Sequence, residues 1–326
     1  MSPADTSASV HVDTSTDRHN DIATGAIPAA ILVTGANGQL GTELQRLTWP
    51  TGVHVVAIDV ADLDLTDASA IERYVAAGHD GQPFAAVING AAYTAVDKAE
   101  SDLVTAWAVN AMAPAAFGKA CADAGIPLVQ VSTDYVFAGD KTGAWEVDDA
   151  VAPLGVYGAS KLGGELAVRT SGARHAIVRT AWVVSAHGNN FVKTMLRVAA
   201  TNPSLRVVDD QRGSPTIAAD LAQALQTITL RLIADADAPT GTFHFSNAGA
   251  VTWAGFAREI FRQSGQRGGA SAEVAGITTA EYPTPAKRPA NSLLSHQAIQ
   301  QAYGIEPRPW QDALGDILDQ LIGDVK

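Results

Sequence analysis

Tyr157 and Lys161, four residues apart in Tyr157-Gly158-Ala159-Ser160-Lys161, form a pair whose types and spacing suit proton transfer. On a helix this spacing places both side chains on one face, and Gly163, Gly164 and Glu165-Leu166-Ala167-Val168 continue a helical stretch over 156–170. A phenol with its ordinary pKa of about 10 is a poor acid or base near neutrality, and a neighbouring ammonium lowers that pKa by favouring the phenolate. Upstream, Val131-Ser132-Thr133-Asp134 closes a β-rich run. A hydroxyl at that strand end, from Ser132 or Thr133, can hydrogen-bond a carbonyl oxygen while the phenol delivers a proton.

A second motif lies near the start of the patterned region. Gly35-Ala36-Asn37-Gly38-Gln39-Leu40-Gly41 joins a buried strand to a helix. Glycines at this spacing allow a tight turn and close backbone approach, so that the N–H groups at the helix start face a pyrophosphate. Asp59 ends the next strand, where a carboxylate accepts from adenine ribose hydroxyls. The same carboxylate repels a 2′-phosphate, and no Arg or Lys follows it in Val60-Ala61-Asp62-Leu63-Asp64, which favours NADH. Asp64-Leu65 is placed to flank the adenine. Asn89-Gly90-Ala91-Ala92-Tyr93-Thr94 follows the third strand with small residues that let a cofactor pass.

These motifs need a frame. Ala29–Thr34, Val53–Asp59, Ala85–Asn89, Pro127–Ser132 and Ala176–Thr180 are short, nearly continuous apolar runs, the pattern of strands buried on both faces. Helical patterns near 67–77, 99–124 and 156–170 alternate with them, which predicts βαβ units with right-handed crossovers. The expected fold class is α/β, a doubly wound parallel Rossmann-type sheet over 28–185. A smaller mixed α/β substrate lobe is expected over 186–326, with some of its segments returning to the first domain. Helices near 189–200, 216–234, 252–264 and 310–322, strands at 206–208, 242–246 and 273–277, and the Pro-rich loop Tyr282–Pro289 make up that second part. Residues 1–27 have no periodicity and are expected to be a flexible tail. They contain no basic start followed by an apolar segment, so a cytoplasmic location is expected.

Composition excludes other classes. In 326 residues, 22 Lys and Arg stand against 34 Asp and Glu, a net charge of −12 that argues against nucleic acid as a partner. No apolar run reaches the ~20 residues of a membrane span. The single cysteine, Cys121, cannot form an intramolecular disulfide, which suits a reducing compartment. No His/Glu cluster has metal-ligand spacing, and no metal is expected. Arg206, Arg212, Lys287 and Arg288 are the loop cations available to a diphosphate.

Gly35–Gly41, Asp59, Asn110, Ser132-Thr133 and Tyr157-x-x-x-Lys161 together resemble the extended short-chain dehydrogenase/reductase superfamily. Within it the chain is similar to the dTDP-4-dehydrorhamnose reductases. That similarity runs through Thr94–Glu100, Ser132–Phe137, Arg179-Thr180-Ala181-Trp182-Val183, Gly188-Asn189-Asn190-Phe191, Asp210–Thr216 and Tyr282–Pro289. The resemblance implies reduction of the C4 ketone of dTDP-4-dehydro-L-rhamnose with NADPH or NADH, by a monomer or homodimer. It further implies that Thr133 is the carbonyl-side hydroxyl, with Ser132 behind it, that Tyr157 is the proton donor, and that Lys161 holds the nicotinamide ribose. Gly38, Gln39, Leu40, Gly41, Asp59, Asp64, Leu65, Ala92, Tyr93, Thr94 and Val131 would line the cofactor. Thr133, Asp134 and Trp182 would face the sugar nucleotide. Sugar-nucleotide epimerases and dehydratases share the loop and the Tyr-Lys pair, and a non-catalytic regulatory subunit of methionine adenosyltransferase resembles the same family. These are the rival readings.

Overall fold

The computed structural model describes residues 29–323, so the N-terminal segment 1–27 lies outside the described residues. Six parallel strands form the central sheet: β1 (Ala29–Thr34), β2 (Val53–Ile58), β3 (Phe84–Asn89), β4 (Leu128–Thr133), β5 (His175–Thr180) and β6 (Gly241–His244). Their spatial order is β2-β1-β3-β4-β5-β6. The order reverses between β1 and β3, which opens a crevice at their carboxyl ends, the usual ligand position of doubly wound sheets.

Both faces of this sheet are covered, which is why its strands read as unbroken apolar runs. On β1, Ile31 and Val33 face one layer with Leu40, Leu44, Leu221, Leu225 and Ile228, while Leu32 faces the other with Ile71, Val75, Phe117 and Cys121. The first layer comprises α1 (Gln39–Arg46) and α8 (Ala218–Ala234). The second comprises α2 (Ala68–Ala77), α5 (Ala113–Ala124) and α6 (Val156–Thr170). Helix α8 and strand β6 therefore come from beyond residue 185 to complete the sheet layer.

The helical stretch expected near 99–124 is divided into α3 (Val96–Ala99), α4 (Leu103–Trp107), a π-helical turn at Ala108–Met112, and α5. Pro114 explains the π turn, because it has no N–H to give the carbonyl of Asn110 four residues back. Asn110 is 1% exposed, and its carboxamide holds the loop after β3 instead, accepting from Tyr93 N at 2.8 Å and donating to Tyr93 O at 3.1 Å.

A separate core gathers α7 (Phe191–Ala199), α9 (Trp253–Gln266) and α11 (Trp310–Ile322), with Phe256, Ile260, Trp310, Leu314 and Ile317 at its centre. Strands at 204–208 and 273–277 pair in parallel on this side. A further helix, Gln297–Tyr303, packs Ile299 against the sheet layer. No helix among the described residues is long and apolar enough to cross a membrane.

Candidate active site

The glycine loop lies at the carboxyl end of β1. Gly35 has φ +78°, a left-handed conformation that favours glycine. At Gly41 an added Cβ would stand 2.1 Å from the Gly35 carbonyl, so the first turn of α1 is pressed onto the loop. Gly38, the residue before α1, supplies no side-chain cap, and the N–H groups of the first turn remain available to an anion.

A cleft of about 490 Å³ opens over this loop and runs along the carboxyl edge of the sheet. Gly35, Gly38, Gln39, Leu40, Gly41, Asp59, Ala92, Thr94, Val131, Thr133, Asp134, Tyr157, Lys161 and Trp182 all line it. A neighbouring cavity of about 270 Å³ holds Asp64 and Leu65 and shares Gly35, Asp59, Ala91 and Ala92 with the cleft. Tyr93 lines neither, and its hydroxyl donates to Asp102 at 3.0 Å. Asp59 lies where the two cavities meet. One of its carboxylate oxygens accepts from Asn37 N and the other from Val60 N, each at 2.8 Å, which fastens the glycine loop to the end of β2.

Strand β4 separates its two hydroxyls. Ser132 also lines the cleft, but its hydroxyl is held inward, donating to Glu165 at 2.6 Å. Thr133 opens on the cleft, where its hydroxyl donates to Asp134 at 3.0 Å and accepts from Tyr135 N at 3.2 Å. Tyr157 and Lys161 project from the first turns of α6. The Lys161 ammonium, 4% exposed, donates to Val131 O at 2.7 Å.

Burial dominates the titration of this cluster. It pushes the Tyr157 phenol up to about 12, opposed by a hydrogen bond with Thr133 and reinforced by the Asp134 charge. It lowers Lys161 to about 8, against the pull of the Glu165 carboxylate. It raises Asp134 to about 6, opposed by the Ser292 and Thr133 hydroxyls. The expected lowering of Tyr157 by Lys161 is thus absent: burial and the Asp134 charge both push the phenol up, and the Lys161 ammonium donates to the Val131 carbonyl instead.

Below the cleft lies a polar network that the spacing of motifs did not reveal. Arg179, 1% exposed, donates through Nε and Nη2 to the two oxygens of fully buried Glu165 at 2.8 and 2.7 Å. The register of β4 and β5 sets Arg179 beside Ser132, and Arg169 adds a further bond to Glu165 at 2.9 Å. Arg179 Nη1 also faces His244 Nε2 at 3.3 Å. Burial, then the Arg179 charge, lower His244 to about 3, so its ring is neutral. A charged residue within an otherwise apolar strand was the one available signal for Arg179. Glu165 had none.

Trp182 has φ +51°, a conformation that a bulky residue adopts only when its surroundings require it. Those surroundings are Trp253, stacked on it with centroids 3.6 Å apart and planes 14° from parallel, and Gly213. A Cβ on Gly213 would meet the indole at 2.7 Å. Gly213→Ala is therefore expected to shift Trp182, raise the KM for a ligand resting on it by about tenfold, and change cofactor affinity less than twofold. Steady-state kinetics with each ligand varied in turn checks this, and an unchanged KM refutes it.

None of the four candidate cations lines the cleft. Arg206 pairs with Glu281 on the surface at 2.7 Å, whereas Arg212 and Lys287 are exposed. Arg288 turns inward to Asp97 at 2.7 Å, with its Nη1 buried. No cluster of three or more metal-ligating side chains occurs among the described residues.

A parallel sheet whose strand order reverses at a glycine cradle, with a buried phenol, ammonium and hydroxyl along the same edge, has the architecture of the Rossmann-type oxidoreductases that use nicotinamide dinucleotides. Comparison with known proteins narrows that class. The chain belongs to the family described as RmlD substrate binding domain, whose model matches residues 29–322. It is 41% identical over 284 residues to a dTDP-4-dehydrorhamnose reductase of Sinorhizobium fredii, covering 87% of this chain and 94% of the relative. Among solved structures, the dTDP-4-dehydrorhamnose reductase of Clostridium acetobutylicum is similar at a TM-score of 0.82 and 39% identity, covering 90% of this chain and 99% of the other. That of Bacillus anthracis, solved in complex with NADP, matches at 0.82 and 34%, covering 90% and 100%.

Proposed function

We propose that this protein reduces the C4 ketone of dTDP-4-dehydro-L-rhamnose to dTDP-L-rhamnose, using NADPH or NADH. The observation that carries the reading is the joining, in one cleft, of the glycine cradle with Thr133, Tyr157, Lys161 and Trp182. The cradle fits a dinucleotide because its close contacts exclude side chains while its helix start leaves N–H groups free. Gly38–Gly41 would hold the pyrophosphate, Asp59 the adenine ribose, and Asp64 and Leu65 the adenine. A dihydronicotinamide held there would supply the hydride that the ketone carbon takes up.

The chain supplies the proton and the alignment. Tyr157 keeps its proton throughout the neutral range and gives it to the ketone oxygen, while the Thr133 hydroxyl holds that oxygen in place. Lys161, which donates to Val131 O here, would hold ribose hydroxyls of the cofactor and offset the negative charge left on Tyr157. Asp134 Oδ2 is buried with no hydrogen-bond partner among the described residues, an acceptor suited to a sugar hydroxyl. Trp182 offers its ring to the apolar face of the 6-deoxy sugar.

The test mixes the protein with the 4-ketosugar nucleotide and each reduced cofactor, following absorbance loss and the C4 configuration of the product. Consumption of one cofactor per product, with the rhamno configuration, is expected. Turnover without net cofactor consumption would mark an epimerase or dehydratase, and binding without turnover a regulatory subunit.

The titration of Lys161 gives a pH dependence. The amine is a cation below its pKa of about 8 and neutral above it, whereas Tyr157 remains protonated until about 12. The kcat/KM for the cofactor, which reports the free enzyme, is expected to be flat to about pH 8 and to fall above it. A profile flat to pH 10 would remove Lys161 from this role.

A further inference from the structure

The turn of chain after Thr94 carries two carboxylates that the proposed reaction leaves unused. Asp97 holds the Pro-rich loop, accepting from Arg288 Nη2 at 2.7 Å and from Ala286 N at 3.1 Å. Glu100 reaches the opposite way. Its Oε1 accepts from the backbone N–H of Val156 at 2.8 Å, and Val156 is the first residue of α6, immediately before Tyr157. The residue at the N-cap of α6 is Gly155, which has no side chain to cap the helix, so a carboxylate from a distant segment performs the task usually given to a local Ser or Asp. Gly155 leaves the room for this, because a Cβ there would stand 2.5 Å from Glu100 Oε1. The other flank of the same helical turn is equally tight. A Cβ on Gly158 would lie 2.2 Å from the carbonyl of Tyr135, in the short turn that follows Thr133 and Asp134. The start of α6 is thus pinned between Glu100 and the turn that presents the carbonyl-side hydroxyl. An anionic oxygen at the positive end of a helix adds a favourable charge interaction.

We propose that Glu100 is a positioning residue for the proton transfer, setting the first turn of α6 so that the Tyr157 phenol meets Thr133. It touches neither cofactor nor substrate and acts through the backbone of Val156. The proposal rests on Tyr157 being the proton donor. A displacement of about 1 Å in a reacting group costs up to about a hundredfold in rate, so a small shift of this helix end is enough to be measured.

The experiment compares Glu100→Ala with Glu100→Gln in the full chain, reading kcat, substrate KM and cofactor affinity by fluorescence titration. Glu100→Ala removes the acceptor and is expected to lower kcat between tenfold and a hundredfold, with cofactor affinity changed less than twofold. Glu100→Gln keeps an oxygen acceptor and is expected within about threefold of the parent kcat. If the alanine variant does not fold, Glu100→Asp carries the same test, because it keeps the charge but draws the acceptor away from Val156. Parent-like kcat in the variants without the contact overturns the proposal, as does a glutamine variant as slow as alanine. Tyr157→Phe measured alongside separates the two readings: full turnover there defeats the proton-donor assignment itself, whereas an inactive Tyr157→Phe with a normal Glu100→Ala defeats only the role of Glu100.

Discussion

Tyr157→Phe is expected to lower kcat by about 10²–10⁴, the range that a positioned general acid supplies, while leaving cofactor affinity within about twofold. The reason is local. The phenol carries its proton across the neutral range and is hydrogen-bonded to Thr133, whereas Asp134 has released most of its proton by pH 7 and Lys161 donates to the Val131 carbonyl. The phenylalanine ring fills the same space and keeps the edge contact with Tyr135, whose ring centroid is 5.4 Å away. No core contact is lost, so the melting temperature should be unchanged. Single-turnover reduction of the ketosugar with a saturating cofactor reads the effect directly. Turnover at the parent rate would show that the proton comes from elsewhere, and weakened cofactor binding to the same degree would make Tyr157 a binding residue.

The largest expected effect on stability comes from Arg179→Met. Arg179 and Glu165 are withdrawn from water together, and their paired bonds are what compensate the cost of removing both charges from solvent. Without Arg179, the buried carboxylate keeps only Ser132 and the partly exposed Arg169 as partners. Breaking one side of a buried pair costs about 3–5 kcal/mol. The chemical denaturation midpoint should fall accordingly, and activity should fall with it because Ser132 and Thr133 share a strand. Replacing both charges, as Arg179→Met with Glu165→Leu, should restore most of the loss, since two well-packed apolar residues leave no charge uncompensated. A single variant as stable as the parent, or a double variant no better than the single, would show that the pair is not what holds β5 against α6.

Much of this could be read in the chain before any coordinates. The apolar runs named the first five strands to within a residue or two, because a strand buried on both faces has no solvent side to alternate with. The later strand at 241–244 was also legible, but its place was not. It joins the sheet edge beside β5, and nothing in its own residues says which sheet it pairs with. The helical stretch expected near 99–124 is broken by a π turn before Pro114, and what the sequence alone did not show is that Asn110 within that turn holds the loop at Tyr93.

The candidate site divides along the same line. Glycine spacing and the four-residue interval from Tyr157 to Lys161 are local properties: a turn or a helix places those atoms together whatever surrounds it. The choice between Ser132 and Thr133 is not local. Both residues line the cleft, and only the packing of α6 and β5 ties the Ser132 hydroxyl inward to Glu165, while the Thr133 hydroxyl bonds to Asp134 and Tyr135 N in the turn at the cleft. The same holds for the left-handed Trp182, held by Trp253 and Gly213 from remote parts of the chain, and for Leu221, which reaches the cleft from α8. Even the acidity of Tyr157 was decided this way. The sequence supplied a cation four residues distant, but tertiary burial removed the phenol from water and raised its pKa instead, because desolvation depends on everything packed around a group and not on its neighbours along the chain.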